Sequence, residues 1–391
     1  MALIAAAAIP VPIVVAPALA ATHAPSRSGR RAVSRRAGDA SGGAPHGRRR
    51  NARDRRPARR RTRRPAAGAP VAIAASATGV TYYVSPSGSD SNSGTSPSQA
   101  WQTVARVDRA DLHPGDTVLF QGGATFPDQT LMPGWGSGTS GTAGAPITFA
   151  SYGQGRAVIP LGVWFRSDSY LTFANLALGP SAGDMSDGGF QGTGDGITIE
   201  GLSIQHAALG IQSEGSNWRI VDNSIYDTGD SGMLLGGSAG SPGDPPGGTG
   251  YLVSGNTITD TGMNPALTYG THGIYLKVAD ATVTDNTITH FNNDGISVRY
   301  RDNTITGNHI SGGEIGLAWF QYDTRAGTSD WSDNTMTDLS AAGVFVCGTR
   351  EGCDQPLESF RISGNSIHAA ADLLNLQPTS GSYSVSGNLL G

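Results

Sequence analysis

The strongest chemical signal in the sequence is a pair of cations at matched positions of two similar segments. Residues 272–277 read HGIYLK and residues 294–299 read DGISVR, so both follow the order polar, Gly, apolar, any residue, apolar, cation. The segments are 22 residues apart, and Lys277 is the only lysine in the chain. Equivalent positions of a repeat stack in neighbouring repeats. We therefore expect five side chains to form one candidate catalytic group: His272, Tyr275, Lys277, Asp294 and Arg299.

A lysine stacked on an arginine suits β-elimination from a uronic-acid-containing polymer. The reaction needs a base that takes the proton next to the carboxylate and a cation that neutralises this carboxylate as charge builds. Arg299 would favour the neutral amine of Lys277, which could then act as the base. Tyr275 or His272 could donate a proton to the leaving oxygen. Three further side chains would extend the patch as substrate-binding residues: Arg301, Phe320 and Tyr322.

Two other function classes fit the same stretch of sequence. A glycoside hydrolase needs two carboxylates roughly 5–10 Å apart, and Asp294 has candidate partners in Glu314 and Asp230. A non-catalytic surface protein could instead bind glycans through aromatic side chains. These are Tyr275, Phe320, Tyr322 and Phe345. A C5-epimerase would use residues similar to those of the lyase, and the sequence does not separate the two.

The elements that position these residues form an internal repeat. A Gly followed by an apolar residue recurs at 210, 232, 273, 295, 316 and 343. An Asn that opens a short apolar strand recurs at 223, 256, 286, 308, 334 and 365. The spacings include 22, 22 and 21 residues, and a period in the low twenties with two or three strands per repeat predicts a solenoid.

Apolar residues alternate within each predicted strand, so each strand has one buried face. Stacking coils about 4.8 Å apart pairs the backbone and joins these faces into one core. Residues one and three places after the repeated Gly should point inward, and residues two and four places after it outward. The recurrent Asn residues are predicted to be structural, because Asn tolerates tight turns and bonds to the next turn. Insertions are predicted at 180–195, 236–250 and 260–271.

The residues before the repeat point to a specific fold family. Residues 81–84 (TYYV) and 117–120 (TVLF) predict strands, and between them lie a turn-rich loop (85–94) and one or two helical turns (101–107). This order resembles the N-terminal region of secreted right-handed parallel β-helix proteins of the pectate-lyase-like superfamily. The matching residues are Tyr82, Tyr83, Val84, Trp101, Pro114, Gly115, Asp116, Thr117 and Val118.

The resemblance implies an all-β fold over residues 76–391, a right-handed parallel β-helix with an N-terminal capping strand and short helix. It also implies that Lys277 and Arg299 face a substrate groove, as in parallel β-helix polysaccharide lyases, where Lys and Arg on neighbouring coils do so. The calcium-binding Asp cluster of some such lyases is not evident in this sequence. A requirement for Ca²⁺ therefore stays open.

The first 75 residues differ from the rest in composition. Residues 1–21 are almost wholly apolar and end in ALAA, which predicts a signal peptide. A membrane anchor is the alternative, because no Lys or Arg precedes the apolar run, but prolines at 10, 12 and 17 disfavour a spanning helix. We therefore predict a secreted monomer with a polysaccharide substrate and no stable membrane span after signal removal.

Residues 22–75 hold 16 of the 27 basic residues and no periodic apolar face, so this segment is predicted to be disordered. From residue 76 onward, 11 basic residues face 29 acidic ones. An acidic body of this kind disfavours nucleic acid as a partner. Cys347 and Cys353 bracket a Gly-containing loop and are predicted to form one local disulfide, in agreement with export.

Overall fold

The computed structural model describes residues 79–127, 129–134, 138–179, 189–237, 239–267, 270–346, 357–369 and 371–391. The predicted signal peptide, the Arg-rich segment and the predicted disulfide between Cys347 and Cys353 lie outside these residues. In the described part of the chain, no helix has the length and apolar character needed to cross a bilayer.

The first half of the described chain consists of short strands, with a 3-10 turn over Pro97–Gln99 and one short helix near its start. In chain order the elements are β1 (Thr81–Val84), α1 (Val104–Asp108), β2 (Thr117–Gln121), β3 (Ile147–Tyr152), β4 (Ala157–Ile159), β5 (Val163–Arg166), β6 (Leu171–Ala174), β7 (Leu176–Leu178), β8 (Phe190–Thr193), β9 (Thr198–Glu200), β10 (Ser203–Gln205), β11 (Ile211–Glu214), β12 (Arg219–Val221), β13 (Ser224–Thr228) and β14 (Met233–Leu235).

The second half continues the same pattern. Its elements are β15 (Leu252–Ser254), β16 (Thr257–Thr261), β17 (His272–Leu276), β18 (Thr282–Thr284), β19 (Thr287–Thr289), β20 (Asp294–Val298), β21 (Thr304–Thr306), β22 (His309–Trp319), β23 (Thr328–Ser332), β24 (Thr335–Val346), β25 (Ser359–Ser363), β26 (Ser366–Ala369), β27 (Asp372–Leu376), β28 (Tyr383–Ser386) and β29 (Leu389–Leu390).

Successive coils stack in parallel, which confirms the predicted right-handed parallel β-helix. Each full coil gives three strands, and strands at the same place in successive coils form a column. One sheet is the first column and runs from β1 through β9, β12 and β15 to β28. The second sheet contains the other two columns, in which β10 pairs with β13 and β11 pairs with β14. Parallel pairing keeps equivalent residues of neighbouring coils side by side.

The core is a stack of inward side chains, one layer per coil. In the second column, Ile204, Ile225, Ile258, Ile288 and Ile310 are fully buried and lie in register. Burying each such side chain contributes about 1.5–3 kcal/mol. The inward positions predicted from the repeated Gly are confirmed, because the residues one and three places after it are buried in β17 and β20.

The recurrent Asn residues form a ladder in which their buried side chains bond to the next coil, which confirms their predicted structural role. The left-handed backbone of the turn lies at the preceding Asp or Gly instead of at the Asn. The Nδ2 group of Asn286 donates to Asn308 Oδ1 at 2.9 Å and to the Val253 carbonyl at 3.0 Å. Its Oδ1 accepts from the backbone N–H of Asn256 at 2.9 Å. The amide therefore joins its own coil to the coils on both sides, at the turn between the first and second columns. Asn388, which the sequence pattern did not include, continues the ladder at its C-terminal end.

The N-terminal end of the solenoid is closed by β1 and α1, as predicted. Val104 and Val107 of α1 are fully buried, and Thr103 caps the helix by accepting from the Arg106 N–H. One predicted boundary was wrong: the insertion at 180–195 contains β8, which pairs with β5 and β11 and completes a regular coil. The alternation of Phe190 with polar residues was hidden by the long segment that precedes it.

Candidate active site

The outward face of the third column, which we call the outer wall, brings the two predicted cations together. Strand β17 pairs with β20 so that Tyr275 faces Ser297 and Leu276 faces Val298. The next residues in register are Lys277 and Arg299, on adjacent coils. The expected stacking of the lone amine beside the guanidinium is therefore observed.

Both cations contact the ring of Tyr275. The Lys277 Nζ lies 4.6 Å from the ring centroid and the Arg299 Cζ lies 4.7 Å from it. Arg299 also donates from Nη1 to Ser297 Oγ at 2.9 Å and lies over Phe320 at 4.6 Å. Contacts of a cation with an aromatic face are favourable, and they offset part of the repulsion between two like charges on neighbouring coils.

His272 and Asp294 form the other half of the group. They face each other in the pairing of β17 with β20, and His272 Nδ1 lies 3.3 Å from Asp294 Oδ2. The His272 ring also packs edge-on against Tyr275, with centroids 4.7 Å apart. All five predicted catalytic residues therefore belong to one contiguous cluster on the outer wall.

The carboxyl of Asp294 is held in its ionised form. Burial by itself would raise the pKa of this group and is the largest single influence, but His272 and its other polar neighbours together outweigh burial and hold the pKa below its usual range. Ser297 and Arg299 act in the same direction. The Oδ1 atom of Asp294 is buried and has no hydrogen-bond partner among the described residues. Burying an anion with one unsatisfied oxygen costs free energy, so such a group in a native structure is a candidate for a functional role.

The cluster is covered rather than open. Lys277 is 9% exposed, Arg299 3% and Asp294 2%, while Tyr275 is half-buried. Part of the predicted insertion at 236–250 packs beside the cluster, where the Tyr300 hydroxyl donates to the Asp244 carbonyl at 3.1 Å. The sequence predicted where the side chains stack but not how little solvent reaches them.

The three predicted substrate-binding residues do not present open surfaces in the structure. Phe320 is 4% exposed and packs with Ile315 and Ala342, while Tyr322 is 8% exposed and packs against Tyr300. Arg301 lies beyond the end of β20, where its Nη1 is 3.6 Å from an Asp323 oxygen. Their suggested contacts with substrate stay predictions.

The alternative carboxylates lie close to Asp294 along the chain fold. Glu314 precedes Ile315, which pairs with Asp294, and its Oε2 accepts from Asn293 Nδ2 at 3.1 Å. Asp230 lies on the other side: its Oδ1 accepts from the Ser231 N–H at 2.6 Å. Phe345, the remaining aromatic candidate, is half-buried against Phe320. Among the described residues, no set of three His, Cys, Asp or Glu is arranged to hold a metal ion.

Sequence reasoning missed a groove on the N-terminal part of the outer wall. Trp164, Gln191 and Gln212 lie side by side on β5, β8 and β11, in the same register line that leads to Tyr275. They line a cavity of about 340 Å³. The sequence does carry a signal for this groove. Gly162-Val163 and Gly189-Phe190 repeat the Gly–apolar pattern in the two coils before Gly210, where the predicted repeat begins.

A second cavity of about 640 Å³ adjoins the first along the same coils. Its lining includes Arg166, Thr193 and Glu214, which occupy one register line, together with Gln191, Gln212 and Asp195. We call the joined cavities the wall groove. It is the open part of the outer wall, whereas the predicted catalytic cluster lies under cover two coils further on.

Comparison with known proteins recognises the repeated part of the chain. The family model for the right-handed β-helix region matches residues 209–390. A stretch of 87 residues is 44% identical to a lacto-N-biosidase of Bifidobacterium longum subsp. longum. This stretch is 21% of the present chain and 5% of that relative, so the chain corresponds to a small fraction of the relative's length.

Solved structures give the same architecture. The native GH136 lacto-N-biosidase from Eubacterium ramulus superposes with a TM-score of 0.53 at 15% identity, covering 79% of this chain and 67% of that one. The complex of XylC with xylose superposes with a TM-score of 0.52 at 10% identity, covering 80% and 86%. At such identities the likeness concerns the fold alone. The stacked parallel coils and the family model matched over residues 209–390 show that the described chain has the right-handed β-helix fold.

Proposed function

We propose that the protein is a carbohydrate-active enzyme of the glycoside hydrolase type, with its reacting groups on the outer wall. The observation that carries the proposal is Asp294, a buried carboxylate whose pKa is held low by His272, Ser297 and Arg299 together and whose Oδ1 has no hydrogen-bond partner among the described residues. The segment 44% identical to a lacto-N-biosidase supports the same class.

Hydrolysis of a glycosidic bond uses one carboxylic acid to protonate the leaving oxygen. An ionised carboxylate on the other side attacks the anomeric carbon or activates a water. The lowered pKa of Asp294 suits the second role, because the group is already ionised at neutral pH. The product is one free reducing end per bond cleaved, with water supplying the new hydroxyl.

The partner of Asp294 would set the stereochemical outcome. Glu314 precedes the residue paired with Asp294 on the next coil, and carboxyl groups about 5 Å apart are the arrangement of retaining enzymes. Asp230 lies two coils away in the other direction, and carboxyl groups about 6.5–9.5 Å apart are the arrangement of inverting enzymes. Glu314→Gln and Asp230→Asn variants distinguish these arrangements.

A polysaccharide lyase is the second candidate, and one observation favours it. Lys277 and Arg299 share the Tyr275 ring on adjacent coils, which is the arrangement that β-elimination needs. The burial of the cations does not separate the two candidates, because Asp294 is at least as buried as Lys277 and Arg299.

The two chemistries are separated by a paired assay on a panel of neutral and uronate-containing glycans. We expect new reducing ends without ultraviolet absorbance from an unsaturated product. Asp294→Asn should lower the rate by roughly 10²–10⁴-fold. Lys277→Met should keep more activity than the Asp294→Asn variant. Asp280→Asn, an exposed carboxylate on the following turn, is the matched control. Unsaturated product that depends on Lys277 would instead establish the lyase.

A further inference from the structure

The wall groove has the lining of a sugar site rather than that of an ion site. Around the 340 Å³ cavity the described lining has no charged side chain and combines the indole of Trp164 with the amides of Gln191 and Gln212. Apolar atoms of Met132 and Leu209 complete its floor. Flat aromatic surfaces beside a few directed polar groups are the usual composition of a carbohydrate-sized pocket.

Three polar side chains of the groove have hydrogen-bonding capacity that the described residues do not use. Among the described residues, the side chains of Gln191, Gln212 and Glu214 make no hydrogen bond or ion pair, and Gln212 and Glu214 are half-buried. Thr193 does have a partner, since its hydroxyl accepts from the Ser167 N–H at 2.8 Å. An amide can donate to one hydroxyl and accept from another, so these side chains suit a ligand rich in hydroxyl groups.

Charge in and around the groove selects against anionic ligands. In the second cavity Arg166 is the one cation among the described lining residues, against Glu214 and Asp195. The Arg166 guanidinium lies over the Trp164 ring, 5.5 Å from its centroid. From residue 76 onward the chain holds 29 acidic and 11 basic residues, so the surrounding field also repels a polyanion.

We propose that the wall groove binds a neutral oligosaccharide, with one sugar ring stacked on Trp164 and the hydroxyls of the next held by Gln191, Gln212 and Glu214. The proposal rests on the proposed hydrolase function, for which it names the substrate class. The proposed substrate is therefore an uncharged glycan and not the uronic-acid polymer that the pair of Lys277 and Arg299 suggested.

The groove and the candidate catalytic cluster lie on one line of the solenoid. In register, Trp164 is followed by Gln191, Gln212, Leu234 and Tyr275 on successive coils. Four coil steps of about 4.8 Å give about 19 Å, the length of a short oligosaccharide. A glycan stacked on Trp164 and running along the wall would therefore reach the half-buried ring of Tyr275.

Binding is measured by calorimetry on the Asp294→Asn background, so that no probe is consumed. The probes are chitohexaose, xylohexaose, cellohexaose and a hexamer of galacturonate. We expect at least one neutral hexamer to bind more tightly than hexagalacturonate. Trp164→Ala should weaken this binding by roughly tenfold, and Trp164→Phe, which keeps a flat ring, should weaken it much less. Tyr226→Ala removes an aromatic side chain exposed outside the groove (37%) and is the matched control.

Three outcomes would overturn the inference: no neutral hexamer binds at millimolar concentration, hexagalacturonate binds best, or Trp164→Ala binds as its parent does. The last variant is also followed by circular dichroism, and a folded Trp164→Phe protein keeps the comparison valid if Trp164→Ala unfolds. Failure here is separate from failure of the proposed hydrolysis. If a neutral glycan binds but is not cleaved, the proposed hydrolase function is wrong and the proposed binding groove stands. If a glycan is cleaved at a rate that Trp164→Ala does not change, the hydrolase function stands and the binding groove is wrong.

Discussion

Glu358 shows how one buried carboxyl can make the whole fold sensitive to pH. It is 1% exposed, and its Oε1 accepts from the Asp302 N–H at 3.0 Å and from the Ser329 hydroxyl at 2.7 Å. Its Oε2 has no hydrogen-bond partner among the described residues. Burial, reinforced by the carboxylates of Asp302 and Asp323, raises the pKa of Glu358 to about 7.

The raised pKa of Glu358 predicts a loss of stability on going from acidic to neutral pH. Between the unfolded value of 4.5 and the folded value of about 7, the native state holds a proton that the unfolded chain has lost. The free energy of unfolding therefore falls as pH rises through this window, and Glu358→Gln, which is always neutral, should not show the fall. The variant should gain up to about 3 kcal/mol relative to the parent between pH 4.5 and pH 8.

Urea unfolding at several pH values checks the Glu358 prediction. Glu200→Gln, a half-buried glutamate on β9, is the control and should follow the parent. Parallel pH profiles for the parent and the Glu358 variant would show that Glu358 titrates normally.

At the residue scale, stacking could be predicted from the sequence and exposure could not. The pairing of Lys277 with Arg299 follows from a 22-residue period, because parallel coils place equivalent residues side by side. Arg299 lies over the rings of Phe320 and Tyr322, two residues that the sequence assigned to the substrate rather than to the burial of the cation. The sequence therefore located the cluster but overstated its access to substrate.

At the element scale, the turns obey a rule that the sequence shows only in part. In the turn between the first and second columns, one residue of each coil has a left-handed backbone. Over the six coils from β12 to β25 this residue alternates between Asp and Gly: Asp222, Gly255, Asp285, Gly307, Asp333 and Gly364. A side chain on Gly255 would collide with the Asp222 carboxylate, and one on Gly307 with the Asp285 carboxylate. Gly is therefore required wherever the preceding coil carries Asp.

The Asn ladder beside these turns predicts an unequal cost of substitution along the solenoid. Asn286→Ala leaves the Val253 carbonyl and the Asn256 N–H buried without their partners. At about 1–3 kcal/mol for each such group, the free energy of unfolding should fall by roughly 2–6 kcal/mol. Asn388→Ala, at the half-buried end of the ladder, should cost less because it joins fewer buried groups.

Denaturant unfolding of both Asn variants gives the comparison directly. Asn286→Asp is a useful third variant, since it keeps the size of the side chain but replaces its donor with an oxygen facing Asn308 Oδ1. It should be at least as destabilising as Asn286→Ala. If all three variants lost the same small amount of unfolding free energy, the Asn ladder would not contribute appreciably to the stability of the turn.

The elements that escaped the sequence pattern are those flanked by long irregular segments. Gly162-Val163 and Gly189-Phe190 lie 27 residues apart, and Gly189 lies 21 residues before Gly210. Because the 27-residue spacing differs from the period of 21–22 residues, these two sites were not recognised as repeats, and β8 was predicted to be part of the insertion at 180–195. The same spacing hid the wall groove, which the coils of β5, β8 and β11 form together.

At the scale of the whole molecule, the solenoid is a linear array in which each coil packs on its neighbours. The two ends differ in the described residues. At the start, β1 and α1 cover the core with Val104 and Val107. At the other end, β28 and β29 pair on one side only within the described chain, and Leu389 and Leu390 are 71% and 46% exposed.

This asymmetry predicts a gradient of hydrogen exchange along the array. Stability in a linear array is approximately a sum of coil and neighbour contributions, so a coil with one neighbour opens at lower free energy than a coil with two. Backbone amides of β28 and β29 should exchange first, those of β25 and β26 next, and those of β12, β15 and β18 last. Exchange followed by mass spectrometry resolves this order.

Val107→Ala, which leaves a cavity under α1, should speed exchange in β1 and β2 while leaving β28 unchanged. Identical protection from β2 to β28 would mean instead that the coils open in one cooperative step, and that the continuous core outweighs the difference between the two ends.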